Sequence, residues 1–387
     1  MRLSPVLARL PTYPFVRLDE AKAAAAARGG PIIDFGAGEP REETPAFIRR
    51  AVAEAIEAEP VSGYPKADGL PALRAAIATW VERRFGAALD PDSEVVPTLG
   101  SKEAIFGLAQ VVGGPGARIA VTAPGYPVPA RGALFAGAEV VELRLDAANG
   151  WLPDLDAVDW EGIAILWLNS PNNPTAVAAP LAFYERAAAL ARAHGFVLAC
   201  DEAYSELWFD GDPPASVLQV SDRTNVIAFN TLSKRSSMPG YRSGFAAGDG
   251  ELIAALKRYR PNVGTAPPTF VQRAAVVAWG DEDHVVETRE RYGAKRDIVL
   301  PALRAIGLEP AGGDASFFLW LKIGPTHPGD AEAFALRLLD ELGIVVAPGP
   351  FFGPGGAGHV RAALVPTIEE CRRAAELLER HAAAGRA

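Results

Sequence analysis

Six short apolar runs, separated by longer amphipathic stretches, constrain this chain more than any other feature. They fall at residues 118–122, 140–145, 163–168, 196–200, 225–229 and 244–247. Unbroken apolar character, in place of strict alternation, marks strands covered on both faces. Helical patterns lie between them, at 102–112, 181–194 and 251–259. Strand–helix alternation of this kind points to an α/β domain on a mostly parallel sheet.

The C-terminal third reads differently. One long helix is expected over 283–306, then a strand (317–323), a helix (331–342), two strands (344–347 and 359–364) and a last helix (367–381). The stretch 348–358 is dense in Gly and Pro and reads as a loop. The expected organisation is an N-terminal segment (1–45) joining a small α+β domain (281–387), with a large domain over 46–280 between them.

With 387 residues and a net charge of -9, the chain can bury a large core and carries no basic block. Nucleic acid and anionic membrane are therefore poor partners. Cys200 and Cys371 lie far apart in no metal-ligand spacing, so no metal site or disulfide framework is expected, and a cytoplasmic location is. No apolar run is long enough to span a membrane. Arg9, Pro11 and Pro14 interrupt the start, where no secretory signal is read.

Polar residues outside the periodic pattern collect at the ends of the expected strands, where open α/β sheets bind ligands. Gly100-Ser101-Lys102 precedes a helix and would make an anion site, or an ordinary Ser cap. Asn172-Asn173-Pro174-Thr175 follows a core strand and offers amide donors, or a plain tight turn. Asp201, ending another strand, needs a cationic partner: a protonated ring nitrogen, or a nearby Arg. Only seven of the 38 basic residues are lysines, so Lys234 stands out in Thr231-Leu232-Ser233-Lys234, eight residues before Arg242. Lysine forms Schiff bases where arginine cannot, and Thr231, Ser233 and Arg242 carry the donors a phosphate takes; a solvated basic loop is the plainer alternative. Arg361, flanked by apolar residues in a strand, fits a carboxylate clamp or a surface position. Together the five places match the needs of pyridoxal 5′-phosphate.

At this point the chain resembles the class I and II aminotransferases of the fold-type-I pyridoxal-phosphate superfamily, over nearly its whole length. The resemblance implies a large domain with a mostly parallel seven-stranded sheet plus a smaller α+β domain. Gly36-Ala37-Gly38-Glu39-Pro40 is similar to the substrate-binding turn. Tyr64, followed by Pro65 and Gly69, is similar to the segment whose tyrosine reaches the phosphate in the neighbouring subunit, which implies a homodimer with shared sites. By the same resemblance Ser101 and Lys102 belong to the phosphate loop, and Tyr126 stacks on the cofactor ring. Asn173 and Tyr204 bond its hydroxyl, and Asp201 its nitrogen. Lys234 is the Schiff-base lysine, Arg242 binds phosphate, and Arg361 with Gly38 and Asn173 binds the substrate α-carboxylate. Lys234, Asp201 and Tyr204 form the implied catalytic set. One departure is visible: Ala176 stands where the family carries Gly.

Residues 12–19 and 233–249 also resemble the succinyldiaminopimelate aminotransferases of lysine and cell-wall precursor synthesis. That implies amino transfer from N-succinyl-L,L-diaminopimelate to 2-oxoglutarate, giving glutamate. Arg17, Arg41 and Arg235 are candidates for the distal carboxylates. Another aminotransferase (aspartate, alanine or aromatic) and a β-eliminating lyase are the competing enzymes. A regulator is disfavoured because Lys234 and Asp201 are both kept.

Overall fold

The computed structural model describes residues 1, 3–10, 15–27, 29, 31–264, 266–324 and 330–385, apart from the side chains of residues 15 and 17. Its centre is a seven-stranded sheet. In spatial order the strands are Val95–Thr98, Gly244–Gly248, Val226–Thr231, Val197–Asp201, Ile163–Asn169, Arg118–Ala123 and Glu139–Arg144. Gly244–Gly248 runs antiparallel to both neighbours, while the other described pairings in the sheet are parallel. Three adjacent inner strands, Gly244–Gly248, Val226–Thr231 and Val197–Asp201, are buried at every position, as unbroken apolar runs require.

The seventh strand, Val95–Thr98, was not legible in the apolar pattern. It is short, it contains Pro97, and it lies at the sheet edge, where a proline costs no ladder bond on the open side. Trp80 and Trp279 pack beneath it, their ring centroids 4.6 Å apart and both close to Phe245.

The C-terminal third forms a four-stranded antiparallel sheet in the order Ala347–Pro348, His359–Ala363, Phe318–Ile323, Leu308–Pro310. The expected single strand at 344–347 is in fact two. Ile344–Val345 pairs in parallel with Ile33–Asp34, and Ala347–Pro348 turns away to pair with His359–Ala363. Leu308–Pro310, another short edge strand ending in Pro, was also unexpected. The loop 348–358 carries two 3-10 turns, Gly349–Phe352 and Pro354–Gly356. The long helix Asp283–Ala305 packs against Ile368–Ala383, whose Thr367 and Glu370 form a reciprocal cap.

Candidate functional site

The parallel strands end side by side, and the polar residues that follow them converge there. Asn169 and Asp201 close neighbouring strands; Asn169 Nδ2 donates to the Asp201 carbonyl at 2.9 Å, and the Ser170 N–H donates to the same oxygen at 3.0 Å. Thr122, Tyr126, Asn169 and Asp201 line one cleft over Trp167.

Asp201 is buried, and burial pushes its carboxyl up to about 7 against the pull of the Ala203 N–H and of Lys234. No Lys or Arg among the described residues lies within ion-pair distance of it. The alternative of a neighbouring Arg partner is therefore not realised, and the carboxylate faces the cleft in need of a cation.

Lys234 sits in the short helix Leu232–Arg235, which follows the strand Val226–Thr231. Its ammonium donates to the Gly38 carbonyl at 2.8 Å. Burial pulls it down to about 8; Glu39 opposes this, and Arg361 and Arg242 add to it. Its Nζ lies 5.5 Å from the Phe317 ring centroid and 5.9 Å from that of Tyr204. Burial, then the Asp201 charge, pushes the Tyr204 phenol well up, so that it stays protonated and a donor.

Arg361 projects from His359–Ala363 and is 3% exposed. It donates to Asn173 Oδ1 at 2.7 Å and to the Gly36 carbonyl at 2.6 Å. Phe318 and Phe352 lie under its guanidinium at 4.3 and 4.6 Å. With Asn173 Oδ1 engaged, the amide NH2 is the group turned to other acceptors. The Gly36–Gly38 turn is folded by Asp34, whose Oδ1 takes the Gly36 N–H at 2.8 Å. A Cβ at Gly38 would press within 3.2 Å of Phe318, so this backbone must be bare to approach Arg361.

On the far side, Gly100 opens the helix Gly100–Val112 at φ +68. A Cβ there would fall 2.7 Å from Arg242 Nη2. Arg242 itself donates to the Leu99 carbonyl at 3.0 Å, and Thr231 and Ser233 share a hydroxyl contact of 2.9 Å nearby in sequence. A helix N-terminus, a guanidinium and hydroxyls suit a phosphate. The orphan carboxylate, the desolvated amine and this cradle fit pyridoxal 5′-phosphate.

Not every expected residue joins the site. Tyr64 is fully solvent-exposed and touches nothing in its own chain's site, and Lys102 points outward from the first helical turn. Arg235 is a correction: it is 1% exposed, wedged over Trp80 and Trp279 and paired with Glu282 at 2.9 Å, so it cannot meet a substrate. Arg41 is exposed with Asp34 3.8 Å away, and the Arg17 side chain is outside the described residues, as are residues 12–14 of the subfamily-like stretch. Ala176 adopts φ +61, the left-handed turn its glycine counterpart would take. Asp34, Phe317 and Phe318 were missed. Asp34 heads an Asp-x-Gly turn, and Phe317-Phe318 lead into a strand; those were the local signals.

The family description "aminotransferase class I and II" matches residues 30–378. An LL-diaminopimelate aminotransferase of Nitratidesulfovibrio vulgaris is 38% identical over 96% of this chain and 97% of its own. An LL-diaminopimelate aminotransferase of Dehalococcoides mccartyi is 38% identical, with the same coverage. A solved aminotransferase structure from Neisseria meningitidis superposes with a TM-score of 0.90 at 36% identity, covering 97% of this chain and 99% of that one.

Proposed function

This chain belongs to the class I and II aminotransferases, and we propose that it moves an amino group from a diaminopimelate to a 2-oxo acid, with 2-oxoglutarate as the acceptor. The observation that carries the reading is the desolvated pair at the strand ends: an amine held near 8 and a carboxyl held near 7, each without an ion-pair partner among the described residues. Pyridoxal 5′-phosphate, on which this family depends, supplies an aldehyde for the amino group and a ring that spreads carbanion charge.

The chain's own residues divide the remaining work. Lys234 Nζ would hold the cofactor and, once released, take the proton from the substrate α-carbon; an amine near 8 is partly neutral at working pH. Asp201 would keep the ring nitrogen protonated. Tyr204 Oη and the Asn173 amide would donate to the ring oxygen, and Tyr126 would cover the ring face. Arg242, Ser101, Thr231 and Ser233 would take the phosphate, with Lys102 contributing its backbone N–H. Arg361, fixed by Asn173 and Gly36, would receive the α-carboxylate beside the bare Gly38 backbone.

Two sources support the donor. The Nitratidesulfovibrio vulgaris relative is an LL-diaminopimelate aminotransferase, and the motifs at 233–249 resemble the succinyldiaminopimelate enzymes. Both substrates share the diaminopimelate skeleton and differ only at the distal amine. A donor screen with LL-diaminopimelate, its N-succinyl derivative, aspartate, alanine and phenylalanine, read as glutamate formed from 2-oxoglutarate, tests this. Fastest turnover with a diaminopimelate is expected; faster turnover with aspartate or phenylalanine overturns it.

Tyr64, exposed beside Val61, would serve a second copy's phosphate in a homodimer. The segment 1–45 would move with 281–387, because Ile33–Asp34 pairs with Ile344–Val345.

A further inference from the structure

We propose that His284 is a positioning residue for Lys234, acting through Ser236. Ser236 Oγ and His284 Nε2 are 2.8 Å apart, and His284 Nδ1 is 2.5 Å from Asp281 Oδ1. Asp281 Oδ1 also takes the His284 backbone N–H at 3.1 Å. A carboxylate at Nδ1 fixes the proton on that nitrogen and leaves Nε2 as an acceptor. The Ser236 hydroxyl therefore donates to the ring.

Serine, histidine and aspartate in this order are familiar from nucleophilic hydrolases. Here Ser236 is wholly buried and His284 nearly so, so no substrate can reach the hydroxyl. The chain of bonds must act on the protein itself.

What it acts on is the single turn that carries Lys234. Thr231 caps the start of Leu232–Arg235, and Ser236 closes its end by donating its N–H to the Leu232 carbonyl at 3.1 Å. Ser237 is held by Thr44, whose hydroxyl donates to its carbonyl at 2.5 Å. The two residues directly after the lysine grip one other place: Arg235 donates to Ala278 O at 3.1 Å, to Asp281 O at 3.3 Å and to Glu282 at 2.9 Å, and Ser236 meets His284. That place is the root of the long helix Asp283–Ala305, whose body packs on the C-terminal helix. Phe47 closes the other side of the imidazole, edge-on at 5.5 Å. The lysine turn is thus registered against the helix that begins the C-terminal third, and among the described residues His284 makes the side-chain bond to the residue capping its end.

The inference rests on Lys234 being the cofactor lysine. Its test uses the holoenzyme of wild type, His284→Ala, His284→Gln, Ser236→Ala and the Ala–Ala double variant. The visible absorbance of the bound cofactor is titrated against pH, and kcat and KM are measured with the best donor. His284→Ala and Ser236→Ala should each shift the absorbance midpoint by about half a pH unit or more. Each should lower kcat about 10-fold, with KM within about twofold, as a small misplacement of a reacting group does. The double variant should be no worse than either single one. A Gln amide oxygen can stand at the Nε2 position, so His284→Gln should restore the midpoint. Wild-type midpoints in both single variants, or additive losses in the double, overturn the proposal. Should His284→Ala not accumulate as folded protein, Ser236→Ala decides alone, since it removes one oxygen. A wild type with no visible absorbance would sink the Lys234 assignment instead, which keeps the two failures apart.

Discussion

Lys234 Nζ donates to the Gly38 carbonyl at 2.8 Å, joining two motifs 196 residues apart in the chain. The bond ties the amine to the same turn whose Gly36 carbonyl accepts from Arg361. An amine and a guanidinium thus share one glycine-rich turn, which under the proposed roles would place a substrate α-carbon between a base and a carboxylate clamp. Lys234→Ala should leave the fold intact and lower turnover by at least about 10³-fold, within the range for loss of a positioned base. Loss of the bound-cofactor absorbance should accompany it. Circular dichroism and steady-state rates check both; wild-type turnover would remove Lys234 from the chemistry.

Asp201 yields a pH-dependent expectation for the cofactor-free protein. Its folded value near 7 lies above the ordinary 3.8, so the fold binds that proton more tightly than the unfolded chain. The stability from this group is complete below about pH 4 and is lost as pH rises towards 7. Glu202, also pushed up to about 7 by burial, acts in the same direction. Asp201→Asn in the apoprotein should therefore raise stability at pH 8 by on the order of 2 kcal/mol, and the gain should vanish near pH 4. In the loaded enzyme the same change should cost kcat about 10²–10³-fold, the scale for removing one preorganised charge. Urea melts at the two pH values decide the first part; equal melts at pH 8 count against an unpaired buried carboxylate.

The inner strands were legible because they are buried on both faces and so read as unbroken apolar runs; the strand expected to be buried at 140–145 is instead Glu139–Arg144, an edge strand with only Leu143 buried. Val95–Thr98 and Leu308–Pro310 were not legible, since short proline-bearing edge strands leave no such run. Among site residues, Lys234 was visible because lysine is rare in this chain, and Asp201 because a carboxylate ends a core strand. Asp34 was missed because only half of its role is local: its Oδ1 takes the Gly36 N–H two residues on, while its Oδ2 binds Lys22 at 2.9 Å through the tertiary fold. Arg235 misled for the converse reason: its charge suggested a ligand, but two tryptophans and Glu282 hold it in the core.

The contact between Gly100 and Arg242 makes the phosphate assignment testable without touching a charged residue. Gly100→Ala places a Cβ 2.7 Å from Arg242 Nη2 and forces alanine to φ +68. The left-handed backbone alone costs about 1–2 kcal/mol. The guanidinium must also shift away from the helix N-terminus. Cofactor affinity, read by absorbance after dialysis, should fall about 10-fold or more. Arg242→Ala should fall at least as far. Unchanged retention in both variants would move the phosphate elsewhere.

Ala176 offers a case in which opposing effects nearly cancel. It is fully buried at φ +61, and its N–H donates to the Asn172 carbonyl at 2.8 Å within the turn that aims Asn173 at Arg361. Ala176→Gly would relieve about 1–2 kcal/mol of left-handed strain. Against that stand about 0.8 kcal/mol for the lost buried methyl and about 0.4–1 kcal/mol for the freer unfolded chain. The net change should lie within about 0.8 kcal/mol of zero, the difference of those terms. Because the turn geometry is already the one glycine would adopt, KM for the amino donor should stay within about twofold of wild type. A stabilisation above about 1.5 kcal/mol would mean that the methyl packs against nothing useful. A rise in KM would instead mean that the methyl, rather than the backbone angle, holds Asn173 against the guanidinium.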